Sequence, residues 1–325
     1  MGNLFKDLTA GFSAFVLSWL VPSAIVVTVF ALFVYPELTT GPATRPQWQE
    51  NVSDFADTGP LAAISIVFAA VVALAVLSAL ASRPLYRLLE GYSFPTWVAR
   101  PMRARELRRY ARLRTESLRH RRGNHNRRGL VREQLLHFPS HGEWILPTRL
   151  GNSLKALETF STDRYQLDSQ TLWYEVNATA PERARKDADD ARASVDFFIS
   201  LVGLLGLLAL AATVVSVSAQ SKQSAIVAVL ALAATRPAYN AALQNMTDWH
   251  YAVQALVNLS RPDLAKALGY KLPTQFSDER RFWSAWTAFV QGGRQTRLQE
   301  LDHLRVQPMS EVTSIARGDQ DADVG

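Results

Sequence analysis

Residues 197–219 read FFISLVGLLGLLALAATVVSVSA, and none of these side chains is charged. A helix needs about 20 predominantly apolar residues to cross about 30 Å of hydrocarbon. The runs Phe12–Tyr35 and Pro60–Ala81 also meet this requirement, and a fourth run begins near Ser224 but stays uncharged only to Ala234. A helix that is apolar on all sides is buried in a large core or spans a membrane. We therefore predict an all-α integral membrane protein with four transmembrane helices and a helical cytoplasmic domain.

The first run could alternatively be a cleaved signal peptide. Its apolar core is longer than the roughly 7–15 residues of a signal-peptide core, and no A-x-A cleavage site follows it. We therefore interpret Phe12–Tyr35 as an uncleaved anchor. Pro22 lies inside this run and is expected to kink the helix, because proline lacks the N–H that an interior helical residue donates.

The arginine-rich segment between the second and third runs predicts the orientation. Positively charged loops stay in the cytoplasm, and residues 83–132 contain 15 Arg, 3 Glu and neither Lys nor Asp. The loop between the first two runs, residues 36–59, contains Arg45 and four acidic residues. We therefore expect a multi-pass protein of the bacterial inner (plasma) membrane, with the basic segment and both termini in the cytoplasm and the acidic loop outside.

The four runs divide the chain into five expected parts. Two of them are transmembrane hairpins: residues 1–82, with spans at about 12–35 and 60–81, and residues 196–242, with spans at about 197–219 and 223–242. The other three are a basic helical cytoplasmic segment over residues 83–195, cytoplasmic helices over 243–305 and a disordered tail over 306–325.

Helix patterns outside the spans give three further expectations. Alanines and charged residues alternate from Pro181 without a break into the third run, which predicts one continuous helix from about Pro181 to Ala219. After the fourth span, helical periodicity ends near Leu259, and a new helix is expected to begin at Pro262. Residues 121–129, RRGNHNRRG, are polar and glycine-rich, and they predict a loop.

Pro101–Arg122 is predicted to form a strongly basic helix with a narrow apolar stripe, made of Leu107, Tyr110, Ala111, Leu113 and Leu118. A basic amphipathic helix near a span is typical of contact with the anionic inner leaflet. The residues expected to contact lipid or phosphate are Arg103, Arg105, Arg108, Arg109 and Arg112. The alternative is a solvated face that only sets the topology. Nucleic acid is not an expected partner, because no reader motif accompanies the charge.

Four motifs together carry a resemblance to a known group of proteins. They are LYRLLEGY at residues 85–92, LPTRLGN at 146–152, DRYQLD at 163–168 with Trp173, and residues 264–272 followed by Glu279-Arg280 and Trp283. This set resembles a group of bacterial four-span membrane proteins with no established activity. The chain departs from the group's pattern at Gln166, where the group has Gly, and at Trp173-Tyr-Glu-Val, where the group has Trp-Pro-Arg-Leu. The resemblance implies the membrane topology and no particular reaction.

The search for catalytic and metal sites is negative. The sequence contains no Walker A loop, no G-x-G-x-x-G, no G-x-S-x-G and no H-E-x-x-H. It contains no Cys, which excludes disulfides, thiolate metal sites and a Cys nucleophile. Four of the six His, namely His120, His125, His137 and His141, fall in one basic stretch, where a metal site would need support from a carboxylate or further His. Pro139 lies between His137 and His141 and argues against a helical i, i+4 pair of ligands. We expect no catalytic residue, no metal and no cofactor.

Two features within the predicted spans are candidates for function or packing. Gly203 and Gly206 form a small surface on the third span that is suited to close helix packing. Arg236 interrupts the fourth span beside Pro237, at a depth well short of the cytoplasmic edge. Its long side chain either reaches the membrane surface or contacts an anion or a partner helix.

Two functional hypotheses follow from these features. The first is a non-enzymatic scaffold or sensor, homo-oligomeric, that couples a cytoplasmic helical domain to the bilayer. The second is an oligomeric channel or transporter for small anions, with Arg236 near the pathway. The layout of two hairpins around a large inner segment resembles that of bestrophin-type anion channels in topology, although none of that family's motifs occurs here. An enzyme is the third alternative.

Overall fold

The structure, a computed structural model, describes residues 15–40, 60–119, 125–292 and 299–306. In this part of the chain every regular element is a helix, and the only β-type pairing is an isolated antiparallel bridge between Tyr270 and Arg305. The predicted all-α class is therefore confirmed for the described residues. The predicted tail lies outside them except for Val306, as does most of the acidic loop.

Eleven α-helices occur in the described residues. In chain order they are α1 Val21–Phe33, α2 Tyr35–Thr40, α3 Pro60–Leu80, α4 Ser82–Glu90, α5 Thr96–Arg119, α6 His125–Leu136, α7 Arg149–Tyr165, α8 Trp173–Thr179, α9 Glu182–Ser218, α10 Lys222–Ala267 and α11 Phe276–Gly292. A π-helical turn, Val16–Leu20, precedes α1, and short 3-10 helices occupy Gly142–Trp144 and Asp302–Leu304.

Three helical stretches are long and apolar enough to cross a membrane: Val16–Phe33, Glu182–Ser218 and Lys222–Ala267. A fourth candidate combines Ile64–Leu80 with Ser82–Glu90, and these two helices are bent by 54° at the break between them. The described residues therefore contain three candidate spans, or four when the bent pair is taken as one span.

The π-helical turn before α1 is explained by Pro22. Because Pro22 has no N–H to donate, the regular hydrogen-bond ladder fails there, and Val21 donates instead to the carbonyl of Val16 across a wider turn. The side chain of Ser18 is buried at this turn, and its hydroxyl donates to the carbonyl of Ala193 on α9 at 3.2 Å. The irregular turn thus becomes a contact between the first candidate span and α9.

Helix α9 is the centre of the apolar core. In its most apolar stretch, 44% of the residues are buried inside the protein, compared with 22% for each of the other two candidate spans. Its inward side chains pack with residues of α1 and α10; the buried members of this cluster are Val26, Val34, Leu204, Leu208, Ala209, Ala212, Val215, Val227 and Ala231.

Helices α9 and α10 are too long to lie wholly within a bilayer. They contain 37 and 46 residues, which corresponds to about 55 and 70 Å at 1.5 Å per residue. The prediction of one continuous helix over Pro181–Ala219 is confirmed to within one residue at each end. Both helices therefore extend well beyond the roughly 30 Å of a hydrocarbon core.

Two sequence-based expectations about helix ends are wrong. Helix α10 does not stop near Leu259 but continues through Pro262 to Ala267, because Leu264 and Ala265 are buried and hold its last turns in place. Residues 125–129 do not form a loop but belong to α6, where Val131 packs on Leu113 and Phe138. Residues 121–124 lie outside the described part.

The chain divides into two compact units that differ from the predicted segments. The first comprises the described residues up to Phe160 together with Glu182–Ala255, and it contains all the candidate spans except the last turns of α10. The second comprises Ser161–Pro181 and the described residues from Leu256 onward. In the second unit, Phe282 and Trp283 are fully buried and are the largest side chains of its core.

Candidate functional site

Two of the conspicuous sequence motifs meet where the end of α4 touches the start of α7. A Cβ atom added at Gly151 would lie 2.4 Å from the carbonyl oxygen of Glu90 and 3.0 Å from its Cα. Real Cβ atoms do not approach a backbone oxygen so closely, so only glycine permits this contact. We call the contact between residues 90–91 and 146–152 the α4–α7 junction.

Gly91 supplies the turn on the α4 side of the junction. Its φ of +89° is left-handed, a conformation that glycine adopts without strain at the end of a helix. A Cβ atom at this position would also lie 3.1 Å from Cγ2 of Thr148 and 3.2 Å from Cβ of Pro147. The glycines of LEGY and PTRLGN are therefore both required by the same close approach of two helix ends.

Thr148 satisfies a free backbone group on each of the two helices. Its hydroxyl accepts the N–H of Gly151 at 2.9 Å, as a residue preceding a helix commonly does. The same hydroxyl donates to the carbonyl of Glu90 at 3.0 Å, which is one of the carbonyls left unpaired at the end of α4. A single side chain thus joins the start of α7 to the end of α4.

Asn152 and Tyr239 complete the junction. The side-chain amide of Asn152 is fully buried; it accepts the N–H of Leu146 at 2.6 Å and donates to the carbonyl of the same residue at 3.2 Å. The N–H of Leu150 donates to the hydroxyl of Tyr239 on α10 at 3.1 Å. The junction is therefore bonded directly to α10, which supplies a candidate span.

Helix α4 is also fixed to α9 beside the junction. The hydroxyl of Tyr86 donates to the carboxylate of Asp196, and Arg192 lies 3.6 Å from the same carboxylate. A Cβ atom at Gly203 would lie 2.8 Å from Cδ2 of Leu85, so this glycine allows α4 to pack closely on α9. Helices α4, α7, α9 and α10 consequently meet in one region of the first unit.

A pair of histidines, of which His250 is buried and His137 half-buried, packs against α7 next to the junction. His250 on α10 and His137, which follows α6, have ring centroids 5.6 Å apart, and Ser153 lies between them. Nε2 of His250 is 2.8 Å from the carbonyl oxygen of Ser153, which can only accept, so Nε2 carries the proton and donates. Oγ of Ser153 also lies 3.3 Å from this nitrogen, so it accepts there and donates its own proton to His137.

The bonds of Ser153 fix the tautomer of His137. Nδ1 of His137 is 2.7 Å from the Ser153 hydroxyl and accepts its proton. Nε2 of His137 therefore carries the ring proton and donates to the hydroxyl of Thr247 at 3.2 Å. Both ring nitrogens of His137 and Nε2 of His250 have partners in this arrangement, so the cluster is a structural link between α7 and α10.

Burial favours the neutral form of both histidines. Loss of solvation lowers the pKa of His250 to about 4, and the neighbouring His137 adds to the effect, while the carbonyl of Ser153 opposes it. Loss of solvation also lowers the pKa of His137; Arg109 contributes in the same direction, and Glu133 opposes it. Both residues lie outside the predicted spans, and protonation of His250 would place a charge in a buried site.

Acidification should therefore destabilise the first unit. His titrates near pH 6.5 in an unfolded chain, whereas His250 titrates near 4 in the folded protein. The stability contributed by neutral His250 is complete above about pH 6.5 and is lost as the pH falls toward 4, by on the order of 3 kcal/mol. Thermal unfolding of the purified protein, followed by circular dichroism between these pH values, measures the loss.

Two variants separate this effect from general acid sensitivity. His250→Gln retains a donor for the Ser153 carbonyl but does not titrate, so its stability should depend much less on pH. His303→Gln removes an exposed histidine and should leave the pH dependence unchanged. An unchanged pH dependence in His250→Gln would show that the buried pair is not responsible.

The five arginines predicted to contact lipid or phosphate fall into two groups. Arg103 donates to the backbone carbonyls of Ile145 at 2.8 Å and Glu143 at 2.6 Å. Arg109 is partly buried between Glu106, at 3.8 Å, and the ring of Phe138. Arg105, Arg108 and Arg112 are exposed. Lipid contact stays a prediction, and the structure leaves three of the five arginines in a position to make it.

The remaining predicted residues differ in their surroundings. Arg236 is exposed on α10, and within the described residues it has neither a hydrogen bond nor an ion pair. Gly203 packs against α4 as described above, whereas a Cβ atom at Gly206 would meet no atom within 4 Å. No group of three or more His, Asp or Glu suited to a metal ion occurs among the described residues.

Sequence reasoning missed the buried His250 and Asp196. His250 shares its helical face with Met246 and Val253, both buried, so the spacing of the apolar residues contained a signal for its burial. Asp196 is the last charged residue before the third apolar run, and nothing in its local sequence indicates that Tyr86 pairs with it.

No known protein family, curated protein or solved structure matches the chain. The resemblance to the four-span group therefore stays a prediction.

Proposed function

We propose that the protein is a non-enzymatic, four-span scaffold or sensor of the bacterial inner membrane that couples its cytoplasmic helical domain to the bilayer and assembles as a homo-oligomer. One observation carries the coupling: the N–H of Leu150 is bonded to Tyr239 on α10, and α10 continues without a break into a candidate span. The α4–α7 junction is thus attached to a helix that reaches the membrane.

Movement of α7 cannot remain local in this arrangement. Its first turn is bonded to the last carbonyl of α4, and only Ala81 separates α4 from α3. Helix α4 is bonded in turn to α9 through Tyr86 and Asp196. Because protein interiors are close-packed, a displacement at such a contact must be taken up by the neighbouring helices. The polar side chains of the junction are buried and bonded to protein groups, which supports a structural and not a catalytic role.

Breaking the junction tests the coupling, and the absence of Cys makes site-specific spin labelling simple. Labels at Tyr35 and Lys222 would report on the opposite ends of the spans, where the side chain of Gln223 donates to the carbonyl of Phe33 at 3.3 Å. In reconstituted protein, Gly151→Ala should broaden or shift the distribution of distances between these labels. The matched variant Gly129→Ala adds a methyl group in open space and should leave the distribution unchanged.

The proposal fails if Gly151→Ala disrupts the junction without any change in the distance distribution. Disruption of the junction itself would be recognised by faster limited proteolysis between α4 and α7. Coupling requires both signals to change together, whereas an uncoupled cytoplasmic domain would show only the change in proteolysis.

The exposed position of Arg236 favours a second candidate function, an oligomeric channel or transporter for small anions. Arg236 lies on the outward side of α10, so a pathway that uses it would have to run between protomers. A charged side chain near mid-bilayer costs roughly 2.5–3.5 kcal/mol on insertion scales unless it finds a partner or reaches the surface.

Substitution of Arg236 distinguishes its possible roles. If the side chain only reaches for the membrane surface, Arg236→Leu should leave stability unchanged or raised and leave oligomer size unchanged. If it contacts an anion or a neighbouring protomer, Arg236→Leu should abolish chloride flux into liposomes or change the oligomer size. Arg236→Lys keeps the charge without the planar guanidinium, so it should restore only a purely electrostatic role. Wild-type flux and assembly in Arg236→Leu would remove the site evidence for the channel.

A further inference from the structure

Helix α5 has two different faces, and one of them is an exposed apolar stripe. Tyr110 and Leu113 pack inward against Phe138 and its neighbours. A second face carries three large exposed side chains, namely Trp97, Leu107 and Leu118, which are 77%, 44% and 58% exposed. At 100° per residue, Leu107, Ala111 and Leu118 lie within about 40° of one another around the helix axis. A soluble surface has little reason to align apolar side chains in this way.

The charge of α5 is distributed as unevenly as its apolar residues. The helix contains eight Arg and two Glu, and both glutamates interact within the protein. Glu106 is buried with Arg109 and Arg149 near it, and Glu116 pairs with Arg127 at 2.7 Å. The exposed side of α5 is consequently left with positive charge alone.

Three exposed arginines, Arg105, Arg108 and Arg112, border the apolar stripe on one flank. None of them has an acidic partner among the described residues; Arg108 donates only to the carbonyl of Ala104 in its own helix, at 3.3 Å. On the other flank, Arg114 lies over the ring of Tyr110 at 6.0 Å. The stripe and its arginines together form what we call the outer face of α5.

We propose that the outer face of α5 lies on the anionic surface of the inner leaflet. Trp97, Leu107 and Leu118 enter the boundary between headgroups and acyl chains, where Trp is commonly found in membrane proteins. Arg105, Arg108 and Arg112 bind the phosphate groups of anionic lipids. The inference rests on the proposed function in one respect: the proposed function places α5 on the cytoplasmic side of the membrane.

A lipid surface fits the outer face better than a nucleic acid or an acidic protein does. Interfacial helices combine an apolar face with flanking Lys and Arg, and the apolar stripe would gain nothing from a phosphate backbone. Helix α5 also follows the end of α3 at Leu80 after only α4 and a short turn. This tether keeps α5 close to the bilayer, so even weak individual contacts are formed efficiently.

The test uses full-length protein with a single Cys at position 118, labelled with a fluorophore and reconstituted with lipids that carry bromine on their acyl chains. We expect quenching about threefold stronger in bilayers containing phosphatidylglycerol than in bilayers of phosphatidylcholine alone. Raising the salt from about 0.1 to 0.5 M should remove most of the difference, because salt screens the contact between arginine and lipid.

Two sets of substitutions locate the effect on the outer face. The combined change Arg105→Gln, Arg108→Gln and Arg112→Gln should remove the difference between the two bilayers. Arg103→Gln with Arg109→Gln also removes two charges from α5, but from side chains that contact other parts of the protein, and should leave the difference largely intact. Loss of the difference in both variants would mean that only the total charge of the helix matters, which would overturn the proposed face.

Four other outcomes would overturn the inference. Equal quenching in neutral and anionic bilayers would exclude the electrostatic contact. A second outcome is no quenching in either kind of bilayer, combined with a label at position 118 that is accessible only from the cytoplasmic side. This result would show that the outer face does not touch the membrane, and it would leave the proposed topology intact. Shielding of the label by RNA or polyglutamate without lipid quenching would assign the face to a different partner. If the label is accessible only from outside, the proposed function fails together with this inference.

Discussion

Gly151→Ala should destabilise the first unit by about 3 kcal/mol, near the upper end of the usual cost of overpacking. The added Cβ would lie 2.4 Å from the carbonyl oxygen of Glu90. This oxygen is a backbone atom held by the hydroxyl of Thr148, so it cannot rotate away as the end of a flexible side chain would. Thermal unfolding of the purified protein by circular dichroism measures the loss.

Gly129→Ala is the matched control for this prediction. Gly129 lies in α6, and a Cβ atom there would meet nothing within 4 Å. Alanine favours the helical conformation over glycine by up to about 1 kcal/mol, so this variant should be equal to the wild type or slightly more stable. Equal stability of the Gly151→Ala and Gly129→Ala variants would contradict the close approach at the junction.

Glu279→Ala should destabilise the second unit by about 3–5 kcal/mol, because it leaves a charge buried without its partner. The carboxylate of Glu279 pairs with Arg261 and accepts the indole N–H of Trp283 at 3.2 Å. The guanidinium of Arg261 also lies over the ring of Tyr165, 3.6 Å from its centroid. The Glu279 and Arg261 side chains are only 10% and 16% exposed, so water would solvate the unpaired guanidinium poorly. Chemical denaturation followed by tryptophan fluorescence measures this effect.

A double variant and a surface control make the second prediction specific. Arg261→Met combined with Glu279→Leu removes both charges, so it should be more stable than Glu279→Ala alone. Asp278→Ala breaks the exposed pair with Arg281 and should change stability by less than about 1 kcal/mol. If the double variant is as unstable as the sum of its single changes, the buried pair is not the source of the loss.

The candidate spans and the longest helices follow from local sequence. An uncharged apolar run and an unbroken helical pattern are properties of neighbouring residues, so α9 was predicted to within one residue at each end. The end of α10 was not predicted, because Pro262 is a local signal to stop. The burial of Leu264 and Ala265 after that proline depends on tertiary packing that the local pattern does not contain.

The α4–α7 junction shows why a candidate site is harder to predict than a span. The sequence identified LEGY and PTRLGN as separate motifs, but 58 residues separate Glu90 from Thr148. A glycine in sequence indicates either a special backbone angle or a close approach. The structure shows that Gly91 has the special backbone angle and that Gly151 permits the close approach. Both glycines belong to the same contact.

The faces of the basic helix α5 could not be assigned from the sequence. The apolar stripe predicted on α5 combined residues from two faces: Tyr110 and Leu113 pack inward, whereas Leu107, Ala111 and Leu118 are exposed. The sequence alone does not show which side of such a helix meets the rest of the protein. For the same reason, the sequence does not separate Arg103 and Arg109, which contact other parts of the protein, from Arg105, Arg108 and Arg112, which do not within the described residues.

The sidedness of the junction is the central claim, because coupling and lipid contact both require it to lie on the cytoplasmic side. Topology reporters fused after Arg128, after Gly325 and within residues 39–57 test it directly. The account predicts cytoplasmic signals from the first two fusions and an external signal from the third. An external signal from the fusion after Arg128 would contradict the orientation and, with it, the proposed coupling of the junction to the inner face of the membrane.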